Sequence, residues 1–144
     1  MSVGPNALIT ALQQALAGEH AAVYAYGVAG GVLGPAGSSA ARAREGYGVH
    51  RDRRDRIEEQ LRTLDEQPVA AEPGYGVPVP VTTAGGAVAL ARRVEDRCAV
   101  LHAAVVAAST DALRREATGW LDDAATRVLG WGGESTAFPG VAAP

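Results

Sequence analysis

The chain has 144 residues, the size of one ordinary domain. Its hydrophobic fraction of 47% can fill a core, but aromatics are only 5%, so that core must be mostly Ala, Val and Leu. A net charge of −3 with mixed signs excludes the electrostatic footprint of a nucleic-acid or anionic-membrane binder, and 13 basic residues without a lysine exclude Schiff-base chemistry and a lysine-dependent phosphate loop.

The first helical pattern runs from about Ala7 to Leu33, with Asn6 as the expected N-cap. Its stripe is Leu8, Leu12, Leu16, Glu19, Val23, Tyr26 and Gly30, spaced by threes and fours. Gly34-Pro35 ends it. The second helix is predicted from about Ser39 to Glu66, with the stripe Tyr47, His50, Arg54, Ile57, Leu61 and Leu64, and Gln67-Pro68 as its stop. A third, Ala84 to Ala108, carries Val88, Ala91, Glu95, Cys98, His102 and Val105. After a turn at Ser109-Thr110-Asp111, the fourth carries Leu113, Ala117, Trp120, Ala124 and Val128. The tail after Gly130 is rich in Gly and reads as irregular, giving a domain over 1–131 and a tail over 132–144.

Connection lengths set the expected topology. Short joins between helices one and two, and between three and four, imply antiparallel hairpins. The join from Pro68 to Val81 is longer and holds four prolines. A helix of about 27 residues spans roughly 40 Å. A proline-rich segment of about 15 residues reaches roughly 46 Å in polyproline II form. That is enough to run the length of a bundle and start helix three parallel to helix two. The expected fold is an all-α four-helix bundle, two antiparallel hairpins joined by a long Pro-rich crossover, which is the ferritin-like arrangement.

Four polar residues stand on the apolar stripes: Glu19, His50, Arg54 and Glu95. Charges are rarely buried unless paired or bound to metal. Reflecting each helix about its hairpin turn brings all four to the bundle midpoint. A di-iron centre of this architecture needs a Glu from each of two helices and Glu-x-x-His from each of the other two. Glu19 and Glu95 fit the single-Glu helices. Helix two offers His50-Arg-Asp-Arg53 in place of Glu-x-x-His, and helix four has no histidine. An arginine at that depth also repels a dication while neutralising a carboxylate. The favoured reading is an internal Glu19–Arg54–Glu95–His50 network without metal or other cofactor. The alternative is a degenerate site for iron or another transition metal on Glu19, His50 and Glu95, with oxidase-type or storage activity. There is no complete catalytic motif.

Other features have plain readings. Arg51-Asp-Arg-Arg-Asp-Arg56 is expected to be a solvated, self-paired face. His20 and His102 are read as packed bundle histidines, Tyr24 and Tyr26 as ring packing with a hydrogen-bonded hydroxyl. Cys98, the one cysteine, leaves no room for an intramolecular disulfide and is expected to be a buried, inert thiol. The N-terminus lacks a basic n-region, and no stretch approaches a membrane span, so a cytoplasmic location is expected. Phe138, the only phenylalanine, is expected to dock on its own bundle or on a second subunit. A homo-oligomer such as a dimer is expected, because small-residue helices leave apolar faces to cover.

Leu16-Ala-Gly-Glu-His-Ala-Ala-Val-Tyr-Ala-Tyr-Gly27, His50-Arg-Asp-Arg-Arg-Asp55 and Tyr75-Gly-Val-Pro-Val-Pro80 resemble a family of small actinobacterial ferritin-like domains of unknown function. The similarity extends over nearly the whole chain, to Ala137-Phe-Pro-Gly140. It implies a ferritin-like four-helix fold and supplies no catalytic residues.

Overall fold

The computed structural model describes residues 4–77 and 80–142; Pro78 and Val79 of the crossover lie outside them. Four helices account for its regular structure: α1 (Pro5–Leu33), α2 (Ser38–Thr63), α3 (Ala84–Ala108) and α4 (Asp111–Gly130). Among the described residues there is no strand, and no helix is long and apolar enough to cross a membrane.

The helix ends differ from expectation in instructive ways. Asn6 is not the cap of α1. Gly4 takes that place and Pro5 opens the helix, because a proline's fixed φ suits the first helical position and its missing N–H is not needed there. Gly34, at φ 75°, closes α1 by donating its N–H to Gly30, a conformation glycine adopts without steric cost. α2 stops at Thr63 rather than near Glu66. Asp65 turns left-handed at φ 58°, and the Glu66 amide bonds back to the Leu61 carbonyl at 3.0 Å. Thr83 caps α3, its hydroxyl accepting from the Gly86 amide at 3.1 Å.

The helices pack as a bundle, with α1 against α2 and α3, and α3 against α4. Ion pairs Arg53–Asp123, Arg56–Glu116 and Arg127–Glu45 join α2 to α4. One end of the core is aliphatic, built from Leu12, Leu16, Ile57, Leu61, Leu101, Val105 and Ala117 with Trp120. At the other end Tyr26 and Trp131 pack among Ala43 and Ala91.

The buried stripe of α2 is Ala43, Gly46, His50, Arg53, Ile57 and Leu61, not the expected line through Tyr47, Arg54 and Leu64. Both lines share His50, Ile57 and Leu61. They differ in between, and Tyr47 and Leu64 are exposed. The inward phase is set by small residues. A Cβ on Gly46 would lie 2.3 Å from a Tyr26 ring carbon, so the large side chain comes from α1 and the space for it from α2.

The crossover is tied to the outside of α1. Gln13 donates to the Gln67 carbonyl at 2.7 Å and accepts from the Val69 amide at 2.8 Å. His20 Nε2 lies 3.0 Å from the Val69 carbonyl oxygen. Tyr75 reaches the ring of Tyr24, with centroids 5.6 Å apart. The C-terminal segment returns to α3, where Gly140 (φ 75°) approaches so closely that a Cβ would lie 2.3 Å from the Ala99 carbonyl oxygen. Phe138 is not docked on its own bundle: the residue is 74% exposed. The glycine, not the aromatic, makes the contact.

Candidate functional site

Three of the four residues singled out from the stripes meet in the middle of the bundle. Glu19 on α1, His50 on α2 and Glu95 on α3 are fully buried. His50 stands between the carboxylates, with Nδ1 2.6 Å from Glu19 Oε2 and Nε2 3.1 Å from Glu95 Oε1. Both ring nitrogens face acceptors, so both must donate, and the ring is an imidazolium.

Electrostatics agree with that assignment. Burial works against charge on His50, but its hydrogen bonds to Glu19 and Glu95 outweigh this and raise it from 6.5 to about 9. Burial likewise opposes ionisation of Glu19, yet hydrogen bonds from His102 and His50 bring its carboxyl down to about 2. At neutral pH the centre therefore holds an ionised Glu19 and a protonated His50.

Arg54 does not join this cluster. It lies on the outer edge of α2 and pairs with the neighbouring Asp55. Its neighbour Arg53 turns inward instead, with Nη1 3.9 Å from Glu19 Oε1 and Nη2 donating to Asp123 Oδ2 at 2.9 Å. The physical reason is the phase of α2 described above: α4 packs on the side of Arg53, and Asp123 of α4 is there to receive it. The Arg51–Arg56 run is thus not wholly a solvated face. Asp123 also accepts from Arg127 at 2.9 Å, and Arg127 reaches Glu45 at 3.0 Å, so the network runs from the core to the surface. Half-burial opposes the charge on Asp123, but the hydrogen bonds of Arg127 and Arg53 prevail and hold its carboxyl below the ordinary value.

Three more residues complete the centre. His102 on α3 is fully buried and donates from Nε2 to Glu19 Oε1 at 2.7 Å. Tyr26 donates to Glu95 Oε1 and accepts from Trp131 Nε1 at 2.9 Å. Burial and the charge of Glu95 push the Tyr26 phenol far above its ordinary value, so it remains a donor. The stripe positions of His102 and Tyr26 were legible in the sequence. Their partners were not, because many acceptors could serve a hydrogen-bonded phenol or a satisfied histidine, and only the packing of α1 against α3 brings Glu95 and Glu19 to them. His20 faces the crossover and is no part of the centre.

The chain belongs to the family described as domain of unknown function DUF4439. That family's model matches residues 11–143. A solved structure is similar: a conserved hypothetical protein, rv2844, from Mycobacterium tuberculosis, 32% identical, with a TM-score of 0.84 over 90% of this chain and 97% of that one. No curated protein matches the chain.

The residues of this DUF4439 chain do not fit a carboxylate-bridged pair of metals. Such a centre needs ligands from all four helices, and α4 turns Ala117, Trp120 and Ala124 into the core. Its Asp123 is held by two arginines. A smaller donor group does exist. Glu19, His50 and Cys98 offer ligand atoms within 4.8 Å of one another. Of these, Glu19 is already engaged by two histidines. Burial, with the charges of Glu19 and Glu95, raises the Cys98 thiol well above its ordinary value, so in the absence of a cation it stays protonated.

Proposed function

We propose that this protein is a metal-free, ferritin-like bundle that acts through its surface, in interaction or assembly, and not through chemistry at its centre. The observation that carries this reading is the placing of two cations, His50 and Arg53, among the carboxylates that would otherwise hold a metal. The ferritin-like arrangement is supported by the order of the pairs. Residue numbers rise along α2 and fall along α4 in Glu45–Arg127, Arg53–Asp123 and Arg56–Glu116. They do the same between α1 and α3 in Glu19–His102 and Tyr26–Glu95. Antiparallel hairpins joined by the Pro68–Val81 crossover account for both. The Mycobacterium relative and this chain's own Ala-, Gly- and Arg-rich composition support an actinobacterial origin, and we place the protein in the cytoplasm.

The deciding experiment is metal analysis of protein purified without chelator, paired with melting temperature with and without chelator. We expect no stoichiometric metal and no shift, since a metal bound only to the folded state would raise the melting temperature by mass action. About one iron, manganese or zinc per chain surviving dialysis would favour the second reading, a degenerate carboxylate/histidine metal protein with oxidase-type or storage activity. That reading draws on the Glu19–His50–Cys98 group and on Glu95 Oε2, which has no partner among the described residues.

The assembly role draws on the α3–α4 face, where Val100, Leu129 and Val141 are exposed, and on the exposed Phe138 of the C-terminal segment that borders it. A second copy covering this face makes the protein a homodimer. Light scattering on the purified chain tests this, and Phe138→Ser should shift the population toward monomer without changing helicity.

A further inference from the structure

On another face of α3, an open groove between α1 and α3, bordered by Tyr75, Gly76 and Val77 of the crossover, has a volume of about 590 Å³. That volume lies within the range of small-molecule sites, roughly 300–1,000 Å³. Its floor is small and apolar: Ala17, Gly18, Ala21, Ala22 and Ala25 from α1 face Leu90, Val94 and Leu101 from α3. Tyr24 and Tyr75 form a tilted aromatic pair at one wall, and the Tyr75 hydroxyl is fixed by the Glu72 amide at 2.9 Å.

The polar part of the lining has one sign. Arg93 and Arg97 both border the groove, and no described residue lining it is acidic. Their i,i+4 spacing places them side by side on α3. Among the described residues neither forms a salt bridge, as is also true of Arg42, Arg44, Arg51, Arg92, Arg114 and Arg115; what sets Arg93 and Arg97 apart is that both border the apolar groove. An apolar trough with two unpaired guanidinium groups at its edge is complementary to a molecule with an apolar body and one anionic head. Arginine's planar fork matches a carboxylate.

We propose that the α1–α3 groove binds an amphipathic monocarboxylate, with the apolar part against the alanine floor and the Tyr24–Tyr75 wall, and the carboxylate on Arg93 and Arg97. The groove meets the polar centre only at Cys98, and the Arg93–Arg97 edge does not depend on how that centre is used.

The test is calorimetric titration of the full chain with decanoate, below its micelle concentration, against decanol and decyltrimethylammonium as neutral and cationic probes of the same tail. Decanoate should saturate at one per chain, and decanol should bind at least about tenfold more weakly, the scale of a charge-assisted hydrogen bond. The double variant Arg93→Gln/Arg97→Gln should lose decanoate affinity by a similar factor with an unchanged melting temperature, since both side chains are exposed. Ala21→Phe should abolish binding by filling the trough. Absence of decanoate binding, equal affinity for decanol, or indifference to the double arginine variant would each overturn the proposal. Retention of decanoate by a folded Ala21→Phe protein would place the anion elsewhere and would do the same.

Discussion

The two halves of this core hold together by different physics. The end built from Leu12, Leu16, Ile57, Leu61 and Val105 is aliphatic, and its attraction is non-directional and proportional to the area removed from water. The middle, around Glu19, His50, Glu95 and Arg53, is ionic and directional. Sliding one helix by a turn would exchange one apolar contact for another at the aliphatic end. The same slide would separate His50 from both carboxylates. Apolar contacts of the aliphatic end can be remade in more than one register, whereas the hydrogen bonds of His50 to Glu19 and Glu95 are made in one.

Breaking the polar middle should have the largest effect. Glu19→Ala leaves His50 and His102 without their shared acceptor, and removing one partner of a buried ion pair typically costs about 3–5 kcal/mol. Chemical denaturation would measure it. In a double-mutant cycle Glu19 and His50 should couple strongly, because their 2.6 Å contact is lost in either single variant and cannot be lost again in the double; additivity would show that the two act independently.

At the aliphatic end, Leu12→Ala removes a fully buried side chain. It should cost about 2–5 kcal/mol through lost transfer energy and a residual cavity. Here the sharper signature is what does not change: the loss should be the same at pH 6 and pH 9, since Leu12 belongs to a cluster of apolar side chains.

The polar middle, by contrast, should respond to pH with a definite sign. His50 is raised from 6.5 to about 9, so its stabilising contribution is fully present below 6.5 and lost as pH rises through about 9. Glu19 is lowered from 4.5 to about 2, so its contribution is present above 4.5 and lost as pH falls through about 2. Melting temperature should therefore be highest between about 4.5 and 6.5 and decline toward pH 9. His50→Gln should flatten the alkaline side of that curve, and a decline unaltered by the substitution would remove His50 as its cause.

The smallest effect is expected at Arg54, whose partner is the exposed neighbour Asp55. Arg54→Leu should change stability by no more than about 0.5 kcal/mol and add simply to Glu19→Ala. Coupling between them would mean that Arg54, and not only Arg53, reaches the interior.

Much of this was legible in the residues themselves. Four helices follow from three-and-four spacing, their breaks from Gly34-Pro35, Pro68 and Ser109, and the depth of Glu19, His50 and Glu95 from reflection about short turns. The choice between Arg53 and Arg54 was not. Adjacent helical positions differ by about 100°, and a stripe read from large side chains passes through Tyr47 and Arg54. What points α2 inward is the absence of side chain at Gly46 and the bulk of Tyr26 on another helix, a complementarity that no single helix records. Partnership had the same origin. Burial of carboxylates, a histidine and an arginine at mid-bundle can be read from the residues alone, because helical period and turn position are local properties of the chain. Which arginine enters, that His102 and Tyr26 join it, and that Phe138 stays outside all depend on the shape and charge that a neighbouring helix presents.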